Sequence, residues 1–319
     1  MGNRRACAAV LVVSLALAVP ACRRSAPSRA PSFKVSLLTS LPVSGRWERE
    51  AERGLGRIAA ELGGEVRRMR VGDEAGGRRL IGEQGRAGTD LVFCVGAGFE
   101  RALYADAAAF PDTVFVLLPG RAHGANLGSI IFLPEEAGYL AGAVSEALAP
   151  DSVGGLLRGD GGPWLEQLER GFLAGFRSLR PDGDVATAEG ADGVAELTSL
   201  GVLVALYSSD RAEPSVLAAA RENGLLLIGT DPELMASDPG VIVATVDIDV
   251  AEAMLRVARE VRDGVFTGRV FAFDLGSEVL DVHVNDHLEP VKKQAALEAL
   301  ERARSEITAG FVEIEGMGL

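Results

Sequence analysis

The feature that most limits the possible folds is a regular alternation of short apolar segments with longer helical ones. The apolar segment 33–39 is followed by a helical stretch at 47–62, and further strands are predicted at 65–71, 90–95 and 113–118. Helical stretches separate these strands, and this order produces parallel strands because each helix returns the chain to the same edge. The amino-terminal part of the chain is therefore predicted to form a parallel sheet covered by helices on both faces.

The alternation continues with a strand at 128–133 and a helix at 135–148, and it restarts after Pro150. A strand is predicted at 152–157 and a helix at 163–180, and four further strands follow. Two successive α/β runs indicate two lobes rather than one sheet. The predicted boundaries are 33–149 plus 247–268 for the first lobe and 150–246 plus 269–319 for the second.

The first residues have the pattern of a secretory signal rather than of a folded element. Two arginines precede the apolar run 8–18, which is shorter than the roughly 20 residues needed to cross a membrane. The run ends in Val19-Pro20-Ala21-Cys22, and small residues before a cysteine at this place resemble a bacterial lipoprotein box. We expect a signal peptide at 1–21, a lipidated Cys22 and a flexible tether at 22–32. The alternative is an ordinary signal peptide in which the cysteine is incidental.

The charge balance excludes one class of partner. The sequence has 45 acidic and 32 basic residues and a formal net charge of −13, whereas proteins that bind nucleic acid carry a surplus of Lys and Arg. Three cysteines are too few for a disulfide framework, so the fold must depend on its core. We therefore expect no nucleic-acid partner.

The sequence also contains no pattern typical of a catalytic or cofactor site. Gly96-Ala97-Gly98 resembles half of a dinucleotide fingerprint, but the third glycine and the acidic residue after the next strand are missing. His283 and His287 lie four residues apart beside two aspartates, but an extended strand separates residues at that spacing. No catalytic triad or phosphate-binding loop is present. We expect a binding protein with no enzyme activity, no cofactor and no metal.

Four segments together resemble one family of substrate-binding lipoproteins. They are Glu-Ala-Gly-Tyr-Leu-Ala-Gly at 136–142, Gly-Phe-Leu-Ala-Gly-Phe at 171–176, Ile-Gly-Thr-Asp at 228–231 and Ala-Arg-Ser-Glu-Ile-Thr-Ala-Gly at 303–310. The chain resembles the basic membrane protein (BMP, PnrA-like) family from Phe33 to about Glu315. The resemblance implies a type I periplasmic-binding-protein fold, with two doubly wound parallel-sheet lobes joined by three crossovers. It also implies an ABC permease as partner and, from the family's characterised members, purine nucleosides as ligands.

The resemblance assigns pocket roles to several positions. The family's Asp-x-Ser-Phe-Asn segment after the first strand reads Ser44-Gly45-Arg46-Trp47-Glu48 here, so Trp47 would stack on the ligand and Glu48 replaces an amide. Asp231 matches the family's Gly-x-Asp, whose carboxylate binds ribose hydroxyls, while the family's lysine is missing near 246–247. The alternative roles are ordinary: Trp47 would pack its helix on the sheet, and Asp231 would cap a helix.

Four further candidates follow from position alone, because open α/β sheets bind ligands beyond the carboxyl ends of their strands. Gly96 follows a first-lobe strand and would let a ligand touch the backbone. Trp164, Tyr207 and Asp210 follow or end strands of the second lobe. The alternative for Trp164 is that it only anchors the start of its helix.

The departures from the family pattern change the expected ligand. Without the lysine and the asparagine the pocket loses two donors, and Glu48 adds an acceptor that should face solvent or meet a donor such as an amine or a ring N–H. Arg46 is the nearest residue in the sequence that could neutralise Glu48. We therefore expect an uncharged or cationic ligand with a planar or apolar part. Unmodified purine nucleosides should bind weakly or not at all.

Three classes of function remain. The first is a solute-binding lipoprotein of an ABC-type importer, which closes on a nucleoside-like or other planar polar solute by hinge motion at 133–151, 246–249 and 268–274. The second is a ligand-sensing lipoprotein of the same fold that acts on a signalling partner, and the third is an enzyme that uses the cleft. We expect a monomer at the cell membrane, lipid-anchored and facing the periplasm or the cell exterior.

Overall fold

The computed structural model describes residues 32–40, 45–312 and 314. The predicted signal peptide at 1–21 and the predicted lipidation site Cys22 lie outside the described residues. The same is true of the predicted tether, except for its last residue, Ser32.

Twelve strands and ten α-helices alternate along the described residues. The strands are β1 (Lys34–Ser40), β2 (Glu65–Val71), β3 (Leu91–Val95), β4 (Val114–Leu118), β5 (Leu127–Phe132), β6 (Val153–Arg158), β7 (Val185–Glu189), β8 (Val202–Ser208), β9 (Leu226–Gly229), β10 (Ile242–Ile248), β11 (Val270–Phe273) and β12 (Leu280–Val284). The helices are α1 (Gly45–Leu62), α2 (Glu74–Arg86), α3 (Glu100–Asp106), α4 (Pro134–Leu148), α5 (Trp164–Leu179), α6 (Gly190–Ser199), α7 (Pro214–Asn223), α8 (Pro232–Ser237), α9 (Val250–Arg262) and α10 (Pro290–Thr308).

The strands form two six-stranded sheets, one for each lobe. In the first sheet the order is β11-β5-β4-β3-β1-β2, and every described pairing is parallel. In the second sheet the order is β12-β10-β9-β8-β6-β7, and among the described pairings only that of β10 with β12 is antiparallel. Central strands such as β3 and β5 are buried along their whole length, as expected where helices cover both faces. The predicted α/β fold with two parallel-sheet lobes is confirmed.

Two segments belong to a different lobe from the one that the sequence pattern predicts. Helix α4 packs on α5, α10 and β8 of the second lobe, whereas the alternation assigns 134–149 to the first lobe. Strand β11 pairs with β5 in the first sheet, whereas the alternation assigns 269–319 to the second lobe. The physical reasons are a close fit between α4 and α5, and the open edge of β5, whose backbone groups need a partner strand. The chain therefore crosses between the lobes directly after β5, after β10 and after β11.

Hydrogen bonds join the first of these crossovers to the third. Leu133 N donates to the Phe273 carbonyl oxygen at 3.0 Å. One turn into α4, the Glu136 carboxylate accepts a hydrogen bond from Leu275 N at 2.8 Å. The first and third crossovers are therefore tied to each other, and Glu136, the first residue of the family-like segment 136–142, is part of that link.

Helices α4 and α5 approach so closely that their backbones touch. A methyl carbon added at Gly171 would lie 1.9 Å from the carbonyl oxygen of Glu135, and one at Gly138 would lie 2.1 Å from that of Leu168. The segments 136–142 and 171–176 are thus the two sides of one contact between parallel helices, in which glycine is required because any side chain would meet backbone. The glycines of this contact are Gly138, Gly142, Gly171 and Gly175.

A methyl group at this contact should be strongly destabilising. Gly171→Ala would force α4 and α5 apart, and we expect the free energy of unfolding to fall by about 3 kcal/mol or more. The control is Gly56→Ala on the exposed face of α1, where no described atom lies within 4 Å of the added carbon. That variant should gain about 0.5–1 kcal/mol, because alanine favours the helix. Denaturant unfolding measures both changes, and equal stabilities would contradict the contact.

Candidate functional site

A cavity of about 800 Å³ lies between the two lobes at the carboxyl ends of their strands. The first lobe contributes the start of α1 and the ends of β3, β4 and β5, and the second contributes the loops after β6 and β8. A cavity of this size holds a small molecule, and its position is the usual one for ligands of open α/β sheets. Four of the predicted site residues line it, namely Trp47, Gly96, Trp164 and Asp210.

An aromatic contact bridges the lobes at this cavity. The rings of Trp47 in the first lobe and Trp164 in the second are 6.0 Å apart between centroids and perpendicular to each other. Phe132, at the end of β5, lies 5.6 Å from Trp47 and 6.0 Å from Phe273 in the third crossover. Edge-to-face contact at the distance between the two indoles is attractive, so the tryptophan pair stabilises the observed approach of the lobes. These are the only two tryptophans in the sequence.

Asp210 fixes the orientation of Trp164. Its side chain is buried, and its carboxylate accepts hydrogen bonds from the Trp164 indole Nε1 at 2.8 Å and from Gly162 N at 3.1 Å. Its own backbone N donates to the Asp160 carbonyl oxygen at 2.8 Å, which joins the loop after β8 to the loop after β6. The Asp210 carboxylate therefore acts on the site by positioning the indole.

Gly96 forms the turn that opens the first-lobe side of the cavity. Its φ of 112° lies in the region that favours glycine, because a side chain would be strained there. Its N–H donates to the Leu118 carbonyl oxygen at 2.9 Å and so joins the ends of β3 and β4. An occupant of the cavity would contact the bare backbone of Gly96 rather than its N–H.

Arg46 lies beside the cavity without lining it. It lies between two lining residues, only 4% of its surface is exposed, and its Cζ is 5.2 Å from the centroid of the Trp164 ring. Its Nη1 has no hydrogen-bond partner within the described part of the chain. Burial lowers the pKa of the Arg46 guanidinium, and nearby carboxylates, first that of Asp231, only partly offset this effect.

Glu48, predicted as a ligand-binding residue, does not line the cavity. Its carboxylate accepts a hydrogen bond from Arg70 Nε at 2.5 Å and a longer one, 3.5 Å, from Thr39 Oγ1. These contacts place the Glu48 side chain against strands β1 and β2 rather than in the cavity. The cation that neutralises Glu48 is therefore Arg70 of the neighbouring edge strand β2 rather than Arg46.

Asp231 and Tyr207 also lie outside the cavity lining. Asp231 caps α8 by accepting a hydrogen bond from Glu233 N at 3.0 Å, and it pairs with Arg49 of the first lobe at 3.1 Å. Tyr207 is fully buried in the second lobe, where its hydroxyl donates to the Arg211 carbonyl oxygen at 3.2 Å. Both residues end or follow a strand as predicted, but their side chains bind other residues of the chain and do not face the cavity.

Several lining residues were not predicted. Gln167 follows Trp164 by three positions on α5, the spacing that places two side chains on one helix face. Phe132 is the last residue of β5, and Ile248 is the last residue of β10. The rule of strand carboxyl ends could have identified both. Arg121 and Arg211 lie in loops whose course the sequence pattern does not determine.

Two kinds of feature, a cluster of metal ligands and a membrane-spanning helix, are absent from the part of the chain that the structure describes. Across residues 32–40, 45–312 and 314, no group of three or more His, Cys, Asp or Glu side chains is arranged to hold a metal ion. His283 instead lies 3.5 Å from Asp247, and this hydrogen bond raises the pKa of the histidine. No helix in the described part of the chain has both the length and the apolar character needed to cross a membrane.

Removing the carboxylate of Asp210 should loosen the second-lobe side of the cavity. Asp210→Ala leaves the Trp164 and Gly162 N–H groups without an acceptor, so we expect a loss of about 2–3 kcal/mol of unfolding free energy and a weaker near-UV circular dichroism signal. The control is Asp160→Ala, which removes a largely exposed carboxylate from the adjoining loop and should cost less than about 1 kcal/mol. Equal losses in the two variants would contradict a positioning role for Asp210.

The fold is shared with solved solute-binding proteins. An ABC transporter solute-binding protein from Aeropyrum pernix K1 superimposes with a TM-score of 0.70 at 18% identity, covering 88% of this chain and 92% of that one. A second, from Conexibacter woesei DSM 14684, gives 0.73 at 18% identity, covering 88% and 98%. A protein from Bacillus halodurans described as a transcriptional activator of the comK gene gives 0.74 at 22% identity, covering 87% and 98%. The chain therefore has the periplasmic-binding-protein fold.

The family is shown by the sequence itself. A search of curated proteins gave no match. The family model described as "ABC transporter substrate-binding protein PnrA-like" (Bmp) matches residues 44–316, which is most of the chain. The resemblance carried by the segments at 136–142, 171–176, 228–231 and 303–310 is thereby confirmed. The chain belongs to the PnrA-like family of ABC transporter substrate-binding proteins.

Proposed function

We propose that this protein binds a small solute in the cavity between its lobes and delivers it to an ABC permease. The observation that carries the proposal is the cavity itself, which is lined by both lobes and has one tryptophan from each lobe at its wall. A ligand there contacts both lobes at once, so its binding energy favours their closure. The family supports the same role.

The lining favours an uncharged ligand with a planar or apolar part. Trp47, Phe132 and Trp164 supply flat apolar surface. The ionisable side chains among the described lining residues balance, since two aspartates and two arginines contribute, and one of these pairs, Asp160 with Arg211, is joined at 3.0 Å. A charged ligand would have no uncompensated partner of opposite sign in the lining itself.

The same geometry argues against tight binding of ordinary purine nucleosides. The carboxylate that corresponds to the family's ribose-binding group, Asp231, is occupied by Arg49 and by its own helix. The family's asparagine position, Glu48, points to Arg70. A ribose in this cavity would therefore lack the partners that the family pattern provides.

The predicted lipoprotein character fits this role. A lipid anchor at Cys22 would hold the binding protein at the cell membrane, beside a permease, with the two lobes facing the periplasm or the cell exterior. A monomer is sufficient for this task, because both walls of the cavity come from one chain.

A ligand-sensing lipoprotein is the second candidate. The comparison with the Bacillus halodurans protein supports it, because that protein has the same fold and is described as a transcriptional activator. Uptake of the labelled ligand separates the two candidates: deletion of the gene should abolish uptake by an importer and leave it unchanged for a sensor.

A thermal-shift screen of the purified protein against nucleosides, sugars and amino acids should identify a stabilising compound. At 100 times its dissociation constant, a ligand adds about 2.7 kcal/mol of stability. Calorimetric titration of that compound should show affinity that falls 10- to 100-fold in Trp47→Ala, because stacking on an aromatic ring contributes about 1–3 kcal/mol.

The control variant is Tyr104→Ala, which removes an exposed aromatic ring on α3, away from the cavity, and should leave the affinity unchanged. Equal affinity in Trp47→Ala and wild type would contradict the site. Submicromolar binding of adenosine, guanosine or inosine would contradict the proposed ligand class.

A further inference from the structure

We propose that Gln167 selects a planar heterocycle that has a hydrogen-bond donor and an acceptor side by side on one edge and carries no sugar. Free nucleobases and other cyclic amides, in which a ring N–H adjoins a carbonyl, belong to this class. The inference rests on the proposed function, because it concerns the ligand of the same cavity. Gln167 is then a specificity-determining residue of that cavity.

The first observation is that the amide of Gln167 is available to a ligand. Gln167 lines the cavity from α5, three positions after Trp164. Its side chain is partly buried, and its amide forms no hydrogen bond with any other described residue. Neither amide atom is fully buried, so a molecule in the cavity can reach both the carbonyl oxygen and the N–H groups.

The second observation is that the charged side chains of the lining have partners of their own. The Asp210 carboxylate accepts hydrogen bonds from the Trp164 indole and from the backbone of the preceding loop. Asp160 pairs with Arg211 at 3.0 Å, and Arg121 also interacts with another group of the protein. The glutamine is the lining side chain that carries both a donor and an acceptor, and it has both to offer.

The chemistry of the amide determines the edge that it recognises. A primary amide presents a carbonyl oxygen and an N–H in one plane, so it forms two parallel hydrogen bonds with an edge that has a donor next to an acceptor. The rings of Trp47 and Phe132 line the same cavity and favour a flat molecule. The indole N–H of Trp47 lies in the plane of its ring, so a molecule stacked on that ring does not use it.

The lack of a sugar follows from the carboxylates that a ribose would need. Asp231 pairs with Arg49 at 3.1 Å, and Glu48 accepts a hydrogen bond from Arg70 at 2.5 Å. Neither carboxylate lines the cavity. A ribose in the cavity would lose its hydration without gaining these partners, and a free base avoids that cost.

Selectivity then comes from the cost of leaving the amide unpaired. A ligand that fills the cavity displaces water from the Gln167 amide. A base with the matching edge replaces both hydrogen bonds, whereas a base with methylated ring nitrogens replaces the acceptor at most and leaves the amide oxygen without a donor. A site with such a polar group discriminates strongly against an analogue that lacks the matching group.

The test is calorimetric titration of the purified protein with uracil and hypoxanthine, each beside its derivative with methylated ring N–H groups. Wild type should bind at least one free base about 10-fold or more tightly than its methylated derivative. Gln167→Met keeps a side chain of similar length without the amide, and this preference should disappear in it. Comparing ligand pair and variant together isolates the contact between the amide and the ring N–H. Hypoxanthine should also bind more tightly than inosine, which carries a ribose.

The control is Gln294→Met on the exposed face of α10, where the amide pairs with Glu298 at 2.8 Å far from the lining residues, and it should keep the wild-type preference. Because the Gln167 amide has no partner in the protein to lose, Gln167→Met should unfold at the wild-type temperature. The proposal is overturned if neither base binds, if the methylated derivatives or inosine bind as tightly as the bases, or if Gln167→Met keeps the preference. If another compound then binds and Trp47→Ala weakens it, the proposed function stands and only this inference fails.

Discussion

The close contact between α4 and α5 is the constraint on which the rest of the site depends. Four glycines allow the two helix backbones to touch, so the position of one helix is determined by the other. The start of α4 is the first crossover, whose Glu136 is bonded to the third. The start of α5 is Trp164, which reaches across the cleft to the first lobe. The glycine contact thus fixes the position of the first crossover relative to the wall of the cavity that Trp164 forms.

The site combines apolar contact with a few polar groups that have separate tasks. The tryptophan pair and Phe132 supply apolar surface, and covering that surface is favourable. Asp210 uses its carboxylate to hold one indole in place. The guanidinium of Arg46 lies over the same indole, with its Cζ 5.2 Å from the ring centroid. A binding protein also needs lobes that do not close firmly without ligand, because the ligand would then have nothing to change.

Sequence reasoning reached the fold and about half of the site, for identifiable reasons. The alternation of strands and helices determines the parallel sheets, and the ends of strands locate Gly96, Trp164 and Asp210 at the cavity. It does not determine which way a side chain turns there, so Glu48, Tyr207 and Asp231 were placed correctly along the chain but not in the lining. The lobe of α4 depends on its fit to α5, a contact between distant segments. The contact of Arg46 with Trp164 likewise joins segments that are distant in the sequence.

We propose that the ligand fills the cavity and touches both lobes through Trp47 and Trp164. The sequence has two tryptophans, so protein labelled with ¹⁵N-tryptophan should give two indole N–H cross-peaks in a heteronuclear NMR spectrum. Substitution of either tryptophan by phenylalanine assigns them. Titration with the compound that most stabilises the protein should shift both cross-peaks in parallel with the calorimetric binding curve. Saturation that leaves both cross-peaks in place, or moves only one, would contradict a ligand held between the lobes.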